Sequence, residues 1–216
     1  MVEFCGGRVT TTLMYQKYTT EGFLVWARGS GEADRNLLFY TKEFGMILAH
    51  ATSVRSSKSK LRTHITIGVL LSITLLRSKS RWKITEAIAV ETCPPLAEPA
   101  GDGRRGKLAP KSAGYKTFAQ ILTVVKSLVH GEEKNDKLFG ALSELHFFLF
   151  KKPGDSALAE AECLAMIKIL HALGYGEPKS EIADDASYNN ETFFKIKTQK
   201  KELISGINKA LQATGL

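Results

Sequence analysis

The stretch RSSKSKLRTH, residues 55–64, carries four Lys or Arg side chains within eight residues and no carboxylate. The absence of acidic residues extends further, because no Asp or Glu occurs between Glu43 and Glu86. A second basic cluster, residues 77–83, falls in the same acid-free span. Surface charges of both signs are normally interspersed, and like charges placed close together repel unless an anion is present. The two clusters therefore indicate a binding site for a polyanion, with a solvated face as the alternative.

The net charge of +8 is concentrated in the first half of the chain. Residues 1–93 contain 13 Lys or Arg and 7 Asp or Glu, a balance of +6, whereas residues 117–216 contain 12 and 13, a balance of −1. Nucleic acid is the polyanion that such a distribution favours. A membrane surface is the rival partner, but the sequence shows neither a basic amphipathic helix nor a lipidation motif.

Motifs for catalysis and for metal binding are weak throughout the sequence. The three cysteines include no C-x-x-C pair, and the five histidines form neither H-x-x-x-H nor H-E-x-x-H. The GDGRRG sequence at residues 101–106 matches G-x-G-x-x-G, but prolines flank it where a strand and a helix are required. We therefore expect no metal, no cofactor and no enzymatic activity. The cysteine usage, with no visible secretory signal or membrane span, predicts a cytoplasmic protein.

The pattern of residues 18–93 predicts a five-stranded barrel of the OB type. Apolar and aromatic runs give the expected strands at residues 21–28, 35–41, 46–54, 64–76 and 82–90. The first basic cluster fills the longest gap between strands, and the second fills the turn between the last two. Because loops that flank the strands of this fold hold oligonucleotides, both clusters fall where a nucleic acid would bind.

The second half of the chain has the 3.6-residue periodicity of helices. Residues 116–216 are expected to form an all-α domain with helices at residues 116–131, from 136 onward, at 156–174 and at 192–213. Residues 94–115 are rich in Pro and Gly and are expected to be a linker or loop. Residues 1–17 are expected to be an N-terminal extension. The expected fold is thus a β-barrel domain followed by a helical domain.

Several segments resemble RecO, the bacterial mediator of recombinational DNA repair. They are YTTEGFLV at residues 18–25, GEADRNLLFYTKEFG at 31–45, SVRSSKSKLR at 53–62 and SRWKITEA at 80–87. The helical half is less similar, with LGY at residues 173–175 as the recognisable piece. Many members carry a four-cysteine zinc module soon after that tripeptide. This chain has no cysteine there, so it resembles a short member without zinc.

The resemblance implies a specific function. RecO proteins bind single- and double-stranded DNA, anneal complementary strands, and work with RecR to load RecA onto DNA coated by single-strand DNA-binding protein. The helical domain would receive the C-terminal tail of that coating protein. The matching positions expected to contact DNA are Arg35, Arg55, Lys58, Lys60 and Arg62, and charge alone adds Arg81 and Lys83. Trp82, Phe39 and Tyr40 are candidates for stacking on a base, with a place in the barrel core as the alternative.

Two other functions stay open at the level of sequence. A helical domain that docks a protein partner would make the chain a non-catalytic scaffold, with only generic DNA affinity in the barrel. An OB-type protein that binds RNA, such as a translation or ribosome factor, would share the same charge pattern.

Overall fold

The computed structural model describes residues 16–30, 34–52, 66–78, 81–90, 112–151, 157–175 and 186–215. The first half of the chain forms strands β1 (Gln16–Ser30), β2 (Asp34–Thr41), β3 (Gly45–Ala51), β4 (Leu70–Ser78) and β5 (Arg81–Ala89). The second half forms helices α1 (Ala113–Leu128), α2 (Asp136–Lys151), α3 (Leu158–Ala172), α4 (Asn190–Thr198) and α5 (Lys200–Ala213). The predicted fold class, strands followed by helices, is confirmed.

The five strands close into a barrel in the order β1–β2–β3–β5–β4. Neighbouring strands are antiparallel except β3 and β5, which are parallel. At 15 residues, β1 is long enough to pair with β4 through its first half and with β2 through its second half. Apolar side chains fill the interior, among them Leu24, Phe39, Ile47, Ile73 and Ile84, each at most 2% exposed. The OB-type barrel expected from the strand pattern is therefore present.

All five strands differ in extent from the apolar runs that predict them, and β1 and β4 differ most. β1 begins at Gln16, because its polar first residues pair with β4. β4 begins at Leu70 instead of residue 64, because a turn precedes it. Gly68 in that turn has a left-handed backbone (φ +79°), and its N–H donates to the carbonyl of Leu24 at 2.9 Å. A Cβ at Gly68 would lie 3.1 Å from the ring of Phe118, so the turn packs directly on α1.

The helices pack against one side of the barrel. Phe23, Val25, Tyr40 and Met46 belong to the same buried cluster as the core of the helical half. The Phe23 ring contacts the Phe118 ring of α1 edge-on, with centroids 5.4 Å apart. Since helices cover this side, a large ligand of the barrel has to bind on the remaining outer surface. None of the described helices is long and apolar enough to cross a membrane.

Residues 129–135, here called the connector, join α1 to α2 and dock on the barrel. The Met46 N–H donates to the carbonyl of Gly131 at 3.2 Å, and the Tyr40 hydroxyl donates to the carbonyl of Asn135 at 3.3 Å. The Asn135 side chain also accepts from the N–H of Leu138 at 2.9 Å, which caps the start of α2. These bonds hold the connector against β2 and β3, and they bring its acidic residues to the barrel.

The last helix predicted from the sequence, residues 192–213, is in fact two helices. α4 ends at Thr198 and α5 begins at Lys200, with Gln199 between them at φ −101° and ψ 14°. The Thr198 hydroxyl at the end of α4 donates to the carbonyl of Phe194 at 2.9 Å. Periodicity alone predicted one helix because neither Gly nor Pro marks the break.

Candidate nucleic-acid interface

A row of outward-facing residues runs around the barrel, and we call it the belt: Arg28, Asn36, His50, Lys83, Leu76 and Lys17. Each member is the register partner of the next across a pair of strands, from the second half of β1 through β2, β3, β5 and β4 back to the first half of β1. Adjacent strands lie ~4.8 Å apart, so neighbouring members can contact the same ligand. Lys and Arg occupy three of the six positions, and His50 is titratable.

Arg81 extends the positive charge of the belt along β5. It lies two residues before Lys83, about 7 Å away and on the same face of the strand. Both side chains are exposed. Within the described part of the chain, neither Arg81 nor Lys83 has an ion-pair partner. Cations that lack such a partner can bind an anion without first breaking an existing contact.

His50 is held in place by two oxygen atoms from β2. Its Nδ1 lies 3.0 Å from Oδ1 of Asn36, and its Nε2 lies 3.2 Å from Oδ2 of Asp34. A neutral imidazole carries one N–H and can donate to one of these oxygens, whereas the protonated ring can donate to both. The His50 and Asp34 side chains are 34% and 35% exposed, so the ring edge is partly open to solvent. Asp34 therefore orients the ring at the centre of the belt.

The structure places the residues predicted to contact DNA in three groups, which lie on the outer face of β5, on the inward-facing side of β2 and outside the described residues. Arg81 and Lys83 share the outer face of β5. Arg35 instead has the same strand parity as buried Leu37 and Phe39, and its half-buried side chain lies on the opposite face of β2 from Asn36. The first basic cluster lies outside the described residues, so four predicted contacts stay predictions: Arg55, Lys58, Lys60 and Arg62.

The three aromatic candidates for base stacking belong to the buried cores. Trp82 is 3% exposed, and Phe39 and Tyr40 are fully buried. Phe39 and Trp82 pack inside the barrel, while Tyr40 packs against the helices. The core alternative is therefore the right one for all three rings, since no face of them is open to a base.

The belt includes three titratable side chains that the sequence did not single out: Lys17, Arg28 and His50. Each is the only basic residue of its neighbourhood, so a scan for charge runs passes over it. Only the strand register, which pairs Arg28 with Asn36 and His50 with Lys83, brings them into one row. Sequence alternation around Arg28 gave no signal either, because β1 has a bulge between Leu24 and Trp26 that changes which residues face outward.

Arg77, in the second basic cluster, has a carboxylate partner from the connector. Its Nη1 lies 3.2 Å from Oε2 of Glu132, and its guanidinium lies over the Trp82 ring, 4.8 Å from the centroid. The Trp82 Nε1–H donates to the other Glu132 oxygen, Oε1, at 2.8 Å. The sequence showed no acid near this cluster, but the fold supplies one from the helical half.

The described residues contain no group of three or more His, Cys, Asp or Glu side chains placed to hold a metal ion. The belt offers hydrogen bonding and charge pairing. Both are suited to an extended anionic ligand, whose phosphates Lys and Arg contact without regard to base sequence.

Comparison with known proteins bears out the resemblance. Residues 14–92 match the family model described as "Recombination protein O N terminal". The chain is 33% identical over 131 residues to the DNA repair protein RecO of Nostoc sp., which covers 61% of this chain and 40% of that protein. RecO of Gloeothece citriformis is 30% identical over 132 residues, covering 61% and 42%. RecO of Dehalococcoides mccartyi is 33% identical over 75 residues, covering 35% and 30%. The chain thus spans less than half the length of these relatives.

Proposed function

Because residues 14–92 match the model of the RecO N-terminal domain, we propose that the protein acts in DNA repair and recombination. It does so as a non-catalytic mediator that binds single- and double-stranded DNA along the belt. The observation that carries this proposal is the belt, the row that the strand register builds on the outside of the barrel with Lys or Arg at three of its six positions.

The belt matches the way in which OB-type barrels hold oligonucleotides. In this fold the β2–β3 face and the loops between β1 and β2 and between β4 and β5 form the binding surface. Asn36 and His50 lie on that face, Arg28 precedes the first loop, and Arg81 and Lys83 follow the second. Lys and Arg bind the phosphates, and Asn36 and His50 add hydrogen bonds. Residues 55–62 extend this phosphate track in our proposal.

The relation to RecO also supports proposals about activity and partners. In these proposals the chain anneals complementary strands, works with RecR to load RecA, and binds the C-terminal tail of single-strand DNA-binding protein through its helical half. Annealing requires that a protein hold two strands without reading their sequence, which phosphate contacts permit. The scaffold function would need only the helical half, and an RNA-binding function would need discrimination for the 2′-hydroxyl.

A charge-removal experiment tests the belt. Arg28→Gln/Lys83→Gln removes two belt cations, and Lys197→Gln/Lys201→Gln removes two exposed cations from α4 and α5 as a matched control. On single strands each phosphate contact contributes roughly −0.7 to the slope of log affinity against log salt. Two contacts contribute about −1.4 to that slope. If they contribute nothing at 1 M salt, they raise the affinity at 0.1 M salt, one decade lower, by about 1.4 log units, or roughly 25-fold.

Fluorescence anisotropy with a labelled single strand of about 30 nucleotides, measured across a salt series, gives both affinity and slope. We expect the belt variant to lose about 25-fold at 0.1 M salt with a slope shallower by about 1.4, while the control variant stays close to wild type. Equal losses of affinity in the two variants would show that the belt is not the binding site and that DNA responds only to the overall positive charge of the protein. Annealing of complementary DNA strands by the wild type, compared with RNA strands of the same sequence, separates the mediator from the RNA-binding alternative.

A further inference from the structure

Glu132 occupies a position that suits a phosphate. Its two oxygens accept from two different donors on the barrel, one from the Arg77 guanidinium at 3.2 Å and one from the Trp82 indole N–H at 2.8 Å. A phosphate also presents several oxygens and takes hydrogen bonds from Arg in the same way. The donors come from adjacent strands, because Arg77 and Trp82 are register partners in β4 and β5.

The donor pair is fixed by its surroundings. The Trp82 ring packs edge-on against Tyr18, with centroids 5.6 Å apart, and at a tilt against Phe44, with centroids 5.1 Å apart. The ring is therefore buried while its N–H points to Glu132, and the Arg77 guanidinium lies against the ring at 4.8 Å. A donor pair held in this way needs little reorganisation to bind an anion.

The ion pair that holds Glu132 to Arg77 is largely exposed to solvent. The Arg77 and Glu132 side chains are 53% and 41% exposed, and ion pairs of that exposure are weak. Arg77 also adjoins the β4–β5 turn, where Arg81 and Lys83 are already proposed to contact DNA. Arg77 is the register partner of inward-facing Trp82, so it has the opposite strand parity to Lys83. A bound strand that continues from the belt past this turn would bring a phosphate to the Glu132 carboxylate.

We propose that Arg77 and the indole N–H of Trp82 form a phosphate-binding site, and that Glu132 occupies it in the DNA-free protein. DNA binding exchanges the carboxylate for a backbone phosphate, so the connector competes with DNA for the barrel. The exchange releases one contact between the connector and the barrel, which couples DNA binding to the attachment of the helical half. This inference rests on the proposed DNA-binding function.

The test uses the full chain and four variants: Glu132→Gln, Glu133→Gln, Arg77→Gln and the double variant Glu132→Gln/Arg77→Gln. In Glu132→Gln the new amide oxygen can still accept from Trp82, so this variant removes the ion pair and retains a partner for the buried indole. Glu133→Gln is the matched control, because it removes the same charge at the adjacent position and Glu133 makes no described ion pair. Affinity for a single strand of about 30 nucleotides is measured across a salt series, which resolves both affinity and slope.

We expect Glu132→Gln to bind DNA about two- to five-fold more tightly than wild type with an unchanged salt slope, because the bound state is the same and only the competitor is lost. Arg77→Gln should bind more weakly, with a slope shallower by about 0.7. In the Arg77→Gln background the Glu132 substitution should have no effect, and Glu133→Gln should behave as wild type.

Two results would overturn the inference, provided that the wild type binds DNA. In the first, Glu132→Gln binds DNA no more tightly than the wild type. In the second, Glu132→Gln and Glu133→Gln both bind more tightly, and by the same factor. An effect of Glu132→Gln that persists without Arg77 would overturn it as well. If neither the wild type nor any variant binds DNA, the proposed function fails and the inference fails with it. The two failures are thus distinguished by whether the wild type binds.

Discussion

Gly45→Ala should destabilise the protein by detaching the connector from the barrel. Gly45 begins β3 with a left-handed backbone (φ +62°), and a Cβ there would lie 2.8 Å from the carbonyl carbon of Glu133 and closer still to its oxygen. No side chain can relieve this contact by turning, since the neighbour is backbone. The connector would have to move away, and the hydrogen bond from Met46 to Gly131 at 3.2 Å would be lost or lengthened.

The expected cost is the sum of two contributions. A non-glycine residue in the left-handed region costs about 1–2 kcal/mol. The lost hydrogen bond adds about 0.5–1.5 kcal/mol, so the free energy of unfolding should fall by roughly 1.5–3.5 kcal/mol. With a urea m-value of about 2 kcal/mol/M, the midpoint of unfolding should fall by about 1–2 M.

Two other glycines serve as controls in the same urea titration. Gly174 also has positive φ (+81°), but a Cβ there would meet nothing within 4 Å, so Gly174→Ala should cost only the backbone strain of about 1–2 kcal/mol. Gly140 lies inside α2 with open space around it, and Gly140→Ala should stabilise the protein by about 0.5–1 kcal/mol. If Gly45→Ala costs no more than Gly174→Ala, the close approach of the connector to β3 is refuted.

Two further predictions concern buried polar groups of the core. Burial raises the pKa of Tyr40 and of Tyr188, with the charges of Asp136 and Glu144 adding to the respective shifts. Both tyrosines stay protonated in the folded chain above pH ~10, where the unfolded chain ionises, so the stability they give is complete below that pH and is lost as the pH rises above it. Urea unfolding between pH ~9 and ~11 should show a flatter decline for Tyr40→Phe/Tyr188→Phe than for wild type, and equal declines would contradict this. The second prediction concerns Lys168, which is 9% exposed and donates to Oε2 of Glu144 at 2.6 Å. Glu144→Ala should cost about 1–3 kcal/mol because it leaves a buried ammonium unpaired, whereas Lys168→Met should be close to neutral, and the reverse order would contradict the reasoning.

The fold was predictable because its periodicities are local. Alternation and β-rich composition predict five strands, and the change to a 3.6-residue period predicts the helices. The parts that were missed depend on contacts between distant segments. The polar first residues of β1 form a strand only because β4 pairs with them, and the division between α4 and α5 falls at Gln199, where no change of periodicity marks it. The sequence thus predicts whether a segment is a helix or a strand, whereas tertiary contacts determine where each helix and strand begins and ends.

The candidate site was predictable only where its residues are neighbours in sequence. Arg81 and Lys83 stand two apart in one strand, so alternation alone places them on one face. Arg35 has the wrong parity for that face, which follows from the register of β2 and not from its charge. Lys17, Arg28 and His50 enter the site through pairing across strands, since each lies on a different stretch of the chain from the others.

A stretch of sequence without acidic residues can still have acidic neighbours on the folded surface, as Arg77 shows. The acid-free span from residue 44 to residue 85 suggested that every cation in it lacks a partner, yet the connector supplies Glu132 to Arg77. The exposed cations Arg81 and Lys83 on the outer face of the same hairpin have no such partner among the described residues. If the phosphate exchange at Arg77 occurs, this difference orders the binding events. In that proposal DNA would first meet the exposed cations Arg81 and Lys83 and would then compete with Glu132 for Arg77.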